Sequence, residues 1–241
     1  MMAWVRSIAY ALVQIVVTPP YAIISLLTFP LPPLARYRVI SLWSRFMVFA
    51  ARAICGIRYR ILGAENVPAT PSIILSKHES AWETMALQLV FPPQVWVLKR
   101  ELLWIPFLGW GLAMLSPIAI DRSDRRRALR QMLEQGVDRL RTGFSIVVFP
   151  EGTRIAPGVA GTYKAGGARL ALHTGAPVVP VAHNAGDCWP RNSFLKRAGT
   201  VTISVGPTFR PHAGEQATDF MNRVAEWIET ETRRIRQHEP R

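Results

Sequence analysis

The sequence predicts an α/β fold: a sandwich with a central mixed, partly parallel sheet flanked by helices, preceded by membrane-embedded helices at the N-terminus. Three observations predict it. From Gly56 onward, short β-rich runs alternate with helical stretches, the pattern of a sheet covered by helices. Before Gly56, no charged residue occurs between Arg6 and Arg36. The 241 residues are 49% hydrophobic yet carry a formal net charge of +13, from 29 Lys and Arg against 16 Asp and Glu.

A field of that sign draws anionic partners, whether nucleic acid, anionic lipid or phosphorylated substrates. The mean hydropathy of +0.15 favours a membrane surface, since a nucleic-acid binder has no need of the extra apolar residues. No aromatic-basic RNA motif is present either, so nucleic acid is not an expected partner. Cys55 and Cys188 are far apart and outside any C-x-x-C spacing. That supports neither a disulfide framework nor a zinc site, and buried free thiols in a reducing compartment are expected.

The uncharged run from position 7 to 35 is long enough for a bilayer crossing, which takes about 20 apolar residues. Prolines interrupt it at Pro19, Pro20, Pro30, Pro32 and Pro33. The halves, Ser7–Val17 and Tyr21–Phe29, would each be about 15 Å long as helices, too short for a hydrocarbon core of about 30 Å. Arginines stand on both flanks, so no positive-inside asymmetry appears. A re-entrant helical hairpin with both ends on the cytoplasmic side is expected, with one kinked span as the alternative. No small-x-small cleavage site follows, so the segment reads as retained and not as a signal peptide. Next, Arg38, Arg45 and Arg52 recur every seven residues beside Leu42, Phe46, Met47, Phe49 and Ala53. On a helix this gives an arginine stripe suited to the headgroup layer; a solvated globular surface helix is the plainer reading. Residues 1–55 are therefore expected to form a membrane-associated helical region and 56–241 the catalytic domain.

Within the second region, strands are expected at Ile57–Leu62, Ser72–Ser76, Val95–Leu98, Pro117–Ile120, Ser145–Phe149, Val178–Ala182 and Val201–Val205. Ser123 can cap a helix to about Arg141 that presents Leu129, Met132, Leu133 and Leu140 on one face. A second helix is expected from about Glu215 to Arg236, with Phe220, Met221, Val224, Trp227 and Ile228 inward. The basic tail from Arg233 to Arg241 reads as frayed and solvated.

The strand Ser72–Ser76 leads into a loop carrying His78, and Glu79-Ser-Ala-Trp-Glu83 opens a helix. Residues five apart on one helix point about 140° away from each other. His78 and Glu83 can meet only with His78 in the loop and Glu83 in the first helical turn. A neutral imidazole there can take a proton from a hydroxyl while the carboxylate fixes its tautomer. Ser80-Ala-Trp-Glu83 also matches a capping box, and on spacing alone that reading explains Glu83 better. Phe149-Pro-Glu-Gly-Thr-Arg154 follows an apolar strand, where α/β sheets present ligand loops. Gly152 permits close backbone approach, Thr153 offers a hydroxyl, and Arg154 offers a fork matched to phosphate. A tight turn with a surface arginine is the plain alternative.

In order and spacing, these motifs resemble those of the glycerolipid acyltransferase family. His78-Glu-Ser-Ala-Trp-Glu83 resembles its H-x-x-x-x-D motif, with Glu83 where the family reads Asp. Phe149–Arg154 is similar to its phosphate-site motif without a change. Ile118-Ala-Ile-Asp-Arg122 resembles the second block, Lys99–Gly109 the stretch before it, and Val178-Val-Pro-Val181 the fourth. The resemblance covers about Gly56 to Gly206 and lies closest to the bacterial 1-acyl-sn-glycerol-3-phosphate acyltransferases.

It implies His78 as catalytic base and Glu83 as its partner. It also implies acceptor-phosphate contacts from Arg122, Glu151, Gly152, Thr153, Arg154 and Lys99, and an acyl pocket shaped by Val179 and Pro180. The substrates implied are lysophosphatidate and acyl-CoA or acyl carrier protein, at the cytoplasmic face of a bacterial inner membrane, with membrane lipid as partner. A thioester is already activated, so neither a metal nor another cofactor is expected. No G-x-S-x-G elbow occurs, and Ser80 reads as a cap. Oxyanion donors are expected from backbone around Gly152. Another lysolipid or glycerol 3-phosphate as acceptor, or a non-catalytic module that binds anionic lipid, are the alternatives.

Overall fold

In a computed structural model, which describes residues 1–238, seven strands form one mixed sheet. They are β1 (Ile57–Leu62), β2 (Ile73–Ser76), β3 (Gln94–Lys99), β4 (Ile118–Ile120), β5 (Ser145–Val148), β6 (Val178–His183) and β7 (Gly199–Val205). Their order is β1-β7-β6-β2-β5-β3-β4. Strands β6, β2, β5, β3 and β4 are mutually parallel, while β7 joins β6 antiparallel and carries β1 parallel to itself. The central strands are buried on both faces; Ile73, Ile74 and Leu75 have no exposed surface. Their unbroken apolar runs follow from that burial.

The helices are α1 (Met2–Leu27), α2 (Pro33–Cys55), α3 (Trp82–Val90), α4 (Leu108–Met114), α5 (Arg125–Arg141), α6 (Gly166–Thr174), α7 (Ala185–Cys188) and α8 (Ala217–His238). All seven expected strands are present, with ends within about two residues, the ordinary scatter of such boundaries. One hydrophobic core joins Tyr10, Tyr37 and Met47 of the first two helices to the strands and to Phe220, Val224 and Ile228 of α8.

Four local expectations are corrected. Pro19 and Pro20 lie inside α1, which continues through them, so the halves Ser7–Val17 and Tyr21–Phe29 are not separate helices. Tertiary contact offsets the lost backbone bonds: the Tyr21 hydroxyl donates to the Val39 carbonyl at 2.5 Å, and α1 packs on α2 and α4. Helix α5 is capped by Asp124, not Ser123; its carboxylate accepts from the N–H groups of Arg126 and Arg127, while Ser123 folds back on Asp121. Glu215 precedes α8 and instead binds the His212 N–H and Arg223. Finally, Arg233–His238 is helical, and Arg236 is held by Glu79 and Asp187; the rest of the expected tail, 239–241, lies outside the described residues.

At 26 residues α1 is about 39 Å long, and among the described residues it is the helix long and apolar enough to cross a membrane. Much of it is uncovered: Val5, Leu12, Ile15, Val16 and Leu27 are all more than half exposed. On α2, Arg38, Arg45 and Arg52 are exposed beside Leu42, Phe46 and Phe49. Trp104 and Trp110 extend the apolar surface across the segment leading into α4 and α4 itself, which packs on α1.

Candidate active site

The five parallel strands bring their carboxyl ends to one side, and the loops there carry the candidate residues, as in other open α/β sheets. His78 follows β2 and Glu83 lies in the first turn of α3. His78 Nδ1 stands 2.7 Å from Glu83 Oε1. The same oxygen accepts the backbone N–H of Ser80 at 3.0 Å and of Glu79 at 3.2 Å, while Ser80 Oγ accepts the Trp82 N–H. Only the carboxylate half of the expected capping box forms, since Ser80 Oγ does not accept the Glu83 N–H; that half and the His78 contact share one oxygen and are not alternatives. Glu83 is fully buried, which raises its pKa. The hydrogen bond to His78, the electrostatic pull of the nearby imidazoles and the Ser80 N–H outweigh burial and hold the carboxyl below its ordinary value. An ionised Glu83 places the proton on Nδ1 and leaves the Nε2 lone pair as the base.

The loop is fixed by the second motif, about 70 residues away in sequence. Glu151 Oε2 accepts the His78 N–H at 2.8 Å, and the Ile155 N–H donates to the His78 carbonyl at 2.8 Å. The Phe149 ring stacks on the imidazole with centroids 4.0 Å apart and planes 19° from parallel. Beneath them Lys77, with no exposed surface, donates to Glu151 Oε1 at 2.7 Å, Glu229 Oε1 at 2.6 Å and the Val159 carbonyl at 3.1 Å. Three ammonium protons meet three acceptors. Tyr163 donates to the same Glu229 oxygen. Buried His183 accepts the Ala185 N–H on Nδ1, so its Nε2–H donates to the Lys77 carbonyl at 2.8 Å; burial lowers its pKa and keeps it neutral.

His78 opens on a cavity of about 570 Å³ between α1, α2, α3, β3 and α4. Ala22, Ile40, Trp43, Met85, Leu112 and Leu115 make its deep part apolar. Lys99, Arg122, Thr153, Arg154 and Arg191 line it together with His78 and Gly152. Gly152 has φ +72°, the left-handed conformation that makes glycine serve this turn. Arg122 donates to the Gly152 carbonyl and Arg191 to the Arg154 carbonyl, each at 2.6 Å. Apolar depth, a base and several cations at one mouth suit a substrate with a fatty chain, a hydroxyl and a phosphate.

Of the residues the sequence singled out, His78, Lys99, Arg122, Gly152, Thr153 and Arg154 share this cavity. Three expectations are corrected. Glu151 is buried and turned toward Lys77 and His78, outside the cavity lining, and a carboxylate would repel phosphate. Val179 and Pro180 lie in the buried centre of the sheet, outside the cavity lining; Pro180 packs by Gly206 and Trp227. The Gly152 N–H is taken by the Phe149 carbonyl at 3.0 Å and is not an oxyanion donor.

Sequence reading missed Lys77, His183, Arg191 and Glu229. Only Lys77, adjacent to His78, had a local signal: a lysine closing an apolar strand. Among the described residues no cluster of three His, Cys, Asp or Glu could hold a metal, and Cys55 and Cys188 are buried free thiols.

Comparison with known proteins agrees with this geometry. An acyltransferase family model matches residues 58–184. The 1-acyl-sn-glycerol-3-phosphate acyltransferase of Pseudomonas aeruginosa is 47% identical over 201 residues, 82% of this chain and 78% of that protein. The protein of that name in Borreliella burgdorferi is 31% identical over 171 residues, covering 70% of this chain and 64% of its own length. A crystal structure of the 1-acyl-sn-glycerophosphate acyltransferase of Thermotoga maritima superposes with a TM-score of 0.79 over 96% of both chains at 19% identity, which shows the shared fold. With the His78–Glu83 pair, the 149–154 turn and the sheet that joins them all in place, the chain belongs to the acyltransferase family.

Proposed function

We propose that the protein transfers a fatty acyl group from acyl-CoA or acyl carrier protein to the sn-2 hydroxyl of 1-acylglycerol 3-phosphate, giving phosphatidate. The observation that carries this is the shared cavity: an imidazole paired to Glu83 at 2.7 Å stands among Arg122, Thr153 and Arg154 at the mouth of an apolar space. The names of the relatives support the acceptor.

In the reaction, His78 Nε2 takes the proton of the sn-2 hydroxyl as its oxygen attacks the thioester carbonyl. A C–O bond forms and a tetrahedral oxyanion develops. Its collapse breaks the C–S bond, and the thiolate leaves with the proton from the imidazolium. Glu83 stabilises that imidazolium by charge and fixes the ring through Nδ1. Lys99, Arg122 and Arg154 hold the acceptor phosphate. No covalent enzyme intermediate and no cofactor is needed, because the thioester supplies the activation.

We assign residues 1–55 to membrane attachment and 56–241 to catalysis, at the cytoplasmic face of a bacterial inner membrane. The uncovered apolar side of α1 and the exposed arginine stripe of α2 support this placement. The test is an acyl-transfer assay with a panel of lysolipid acceptors and with acyl-CoA or acyl carrier protein as donor. Wild type turning over lysophosphatidate while His78→Ala does not is the expected result. Equal activity of the two, or preference for another acceptor, overturns the reading.

A further inference from the structure

Arg191 lies beyond the residues matched by the family model, on the loop that follows α7. That loop is tightly built. Ser193 N–H donates to the Pro190 carbonyl, the Trp189 indole donates to the Ser193 carbonyl, and Asn192 sits at φ +56°. Trp189 packs edge-on against Tyr10, so the turn presenting Arg191 is anchored to α1.

From there Arg191 reaches the Arg154–Ile155 peptide, whose carbonyl accepts its Nη1 at 2.6 Å. The N–H of the same peptide donates to the His78 carbonyl. Arg122 makes the equivalent contact on the Gly152 carbonyl. The two anchor residues are two apart in sequence, hence at most about 7 Å apart along the chain, with Thr153 between them. A guanidinium has five N–H donors, and this contact uses one of Arg191's. Thr153 and both arginines line the same cavity, so a phosphate seated over Thr153 can be met by both forks through charge-assisted bonds of about 2.8 Å.

Charge decides what such a set prefers. A phosphate monoester carries about −1.5 to −2 at pH 7, with its second ionisation near 6. A phosphodiester headgroup carries only one charge and has lost an oxygen to its substituent. Arg122, Arg154 and Arg191 together offer more fork donors than a diester's two free oxygens can use, whereas a monoester has the extra charge and oxygen to use them.

We propose that Arg191 is a third guanidinium of the acceptor-phosphate site, beside Arg122 and Arg154, and that it selects a phosphate monoester over a diester. This rests on the reading of lysophosphatidate as acceptor. The test uses the full chain in mixed micelles with acyl-CoA as donor. Two dead-end inhibitors are compared: 2-deoxy-lysophosphatidate, which lacks the reacting hydroxyl, and its phosphate methyl ester. Arg191→Ala is expected to weaken inhibition by the monoester about 10- to 100-fold and that by the methyl ester much less, so that the preference collapses. The KM for acyl-CoA should stay within about twofold, and Arg191→Lys, which keeps the charge but not the fork, should fall between. An unchanged monoester inhibition constant overturns the proposal. So does a rise in the acyl-CoA KM in its place, or an equal loss on both inhibitors, which would leave Arg191 acting only through the peptide that holds His78. Failure of wild type to acylate lysophosphatidate sinks the underlying reading instead, and shows before any variant is made.

Discussion

Glu83 Oε1 accepts from His78 Nδ1 at 2.7 Å and from the Ser80 N–H at 3.0 Å, so one oxygen ties the turn before α3 and holds the imidazole ring. Glu83→Gln keeps an acceptor for the cap but removes the charge that fixes the Nδ1–H tautomer. It should lower kcat by about 10²- to 10⁴-fold and leave the lysophosphatidate KM within a few-fold, measured in steady state. The folded pKa of Glu83 is depressed, so its contribution to stability is complete above its unfolded value of about 4.3. That contribution is lost as pH falls through the lower folded value. The stability gap between wild type and Glu83→Gln should therefore narrow only in that acid range.

Glu79 behaves in the opposite sense. Burial pushes its carboxyl up to about 7, although Arg236 and Lys77 pull it down. Between its unfolded pKa of about 4.3 and 7 the folded chain holds a proton that the unfolded chain has lost. Stability from this group therefore falls as pH rises across that window and then levels off. Glu79→Gln, neutral at every pH, should match wild type near pH 5 and gain on it by pH 8, by at most about 3 kcal/mol. Thermal unfolding of both proteins at several pH values checks the sign.

Lys77 is a buried cation between two carboxylates, Glu151 and Glu229. Lys77→Met strands both and should destabilise the fold by about 3–5 kcal/mol. Adding Glu229→Gln to it leaves one carboxylate stranded and should recover part of that loss. Denaturant titration of the single and double variants reads the coupling; simple additivity would show that the ion pair is worth little.

Met85 lines the apolar cavity on α3. Met85→Trp fills part of that space and should move the acyl preference to shorter chains, measured as kcat/KM across a chain-length series. Val179→Ile, in the sheet and off the cavity, should leave the preference unchanged.

The strands were legible because buried apolar runs between turn residues have few other readings; Ile73–Ser76 and Ser145–Val148 show this most clearly. Helix α6 was not, since Gly166 and Gly167 oppose helix propensity. Its place is set by packing instead: a Cβ on Gly167 would stand 2.5 Å from Leu75, and one on Gly136 of α5 would stand 2.6 Å from Leu170. The continuity of α1 through Pro19 and Pro20 was hidden for the same reason, because contacts with α2 and α4 override the local rule. At the site, residues facing the ligand could be read from local motif chemistry. Residues acting from behind could not: Glu229 and His183 reach Lys77 from 152 and 106 positions away, and no local pattern records such a contact.

The reach of α8 also bears on how the enzyme comes into being. Glu229 and Arg236 bind Lys77 and Glu79, the residues on either side of His78. A nascent chain emerges from the ribosome N-terminus first, so α1 and α2 are made long before α8. Until that helix docks, the loop carrying His78 lacks two of its anchors. With residues 1–55 and His78 in the roles proposed for them, attachment to lipid would come early and competence to transfer acyl groups last, and a half-synthesised chain would not act on the lipid that holds it.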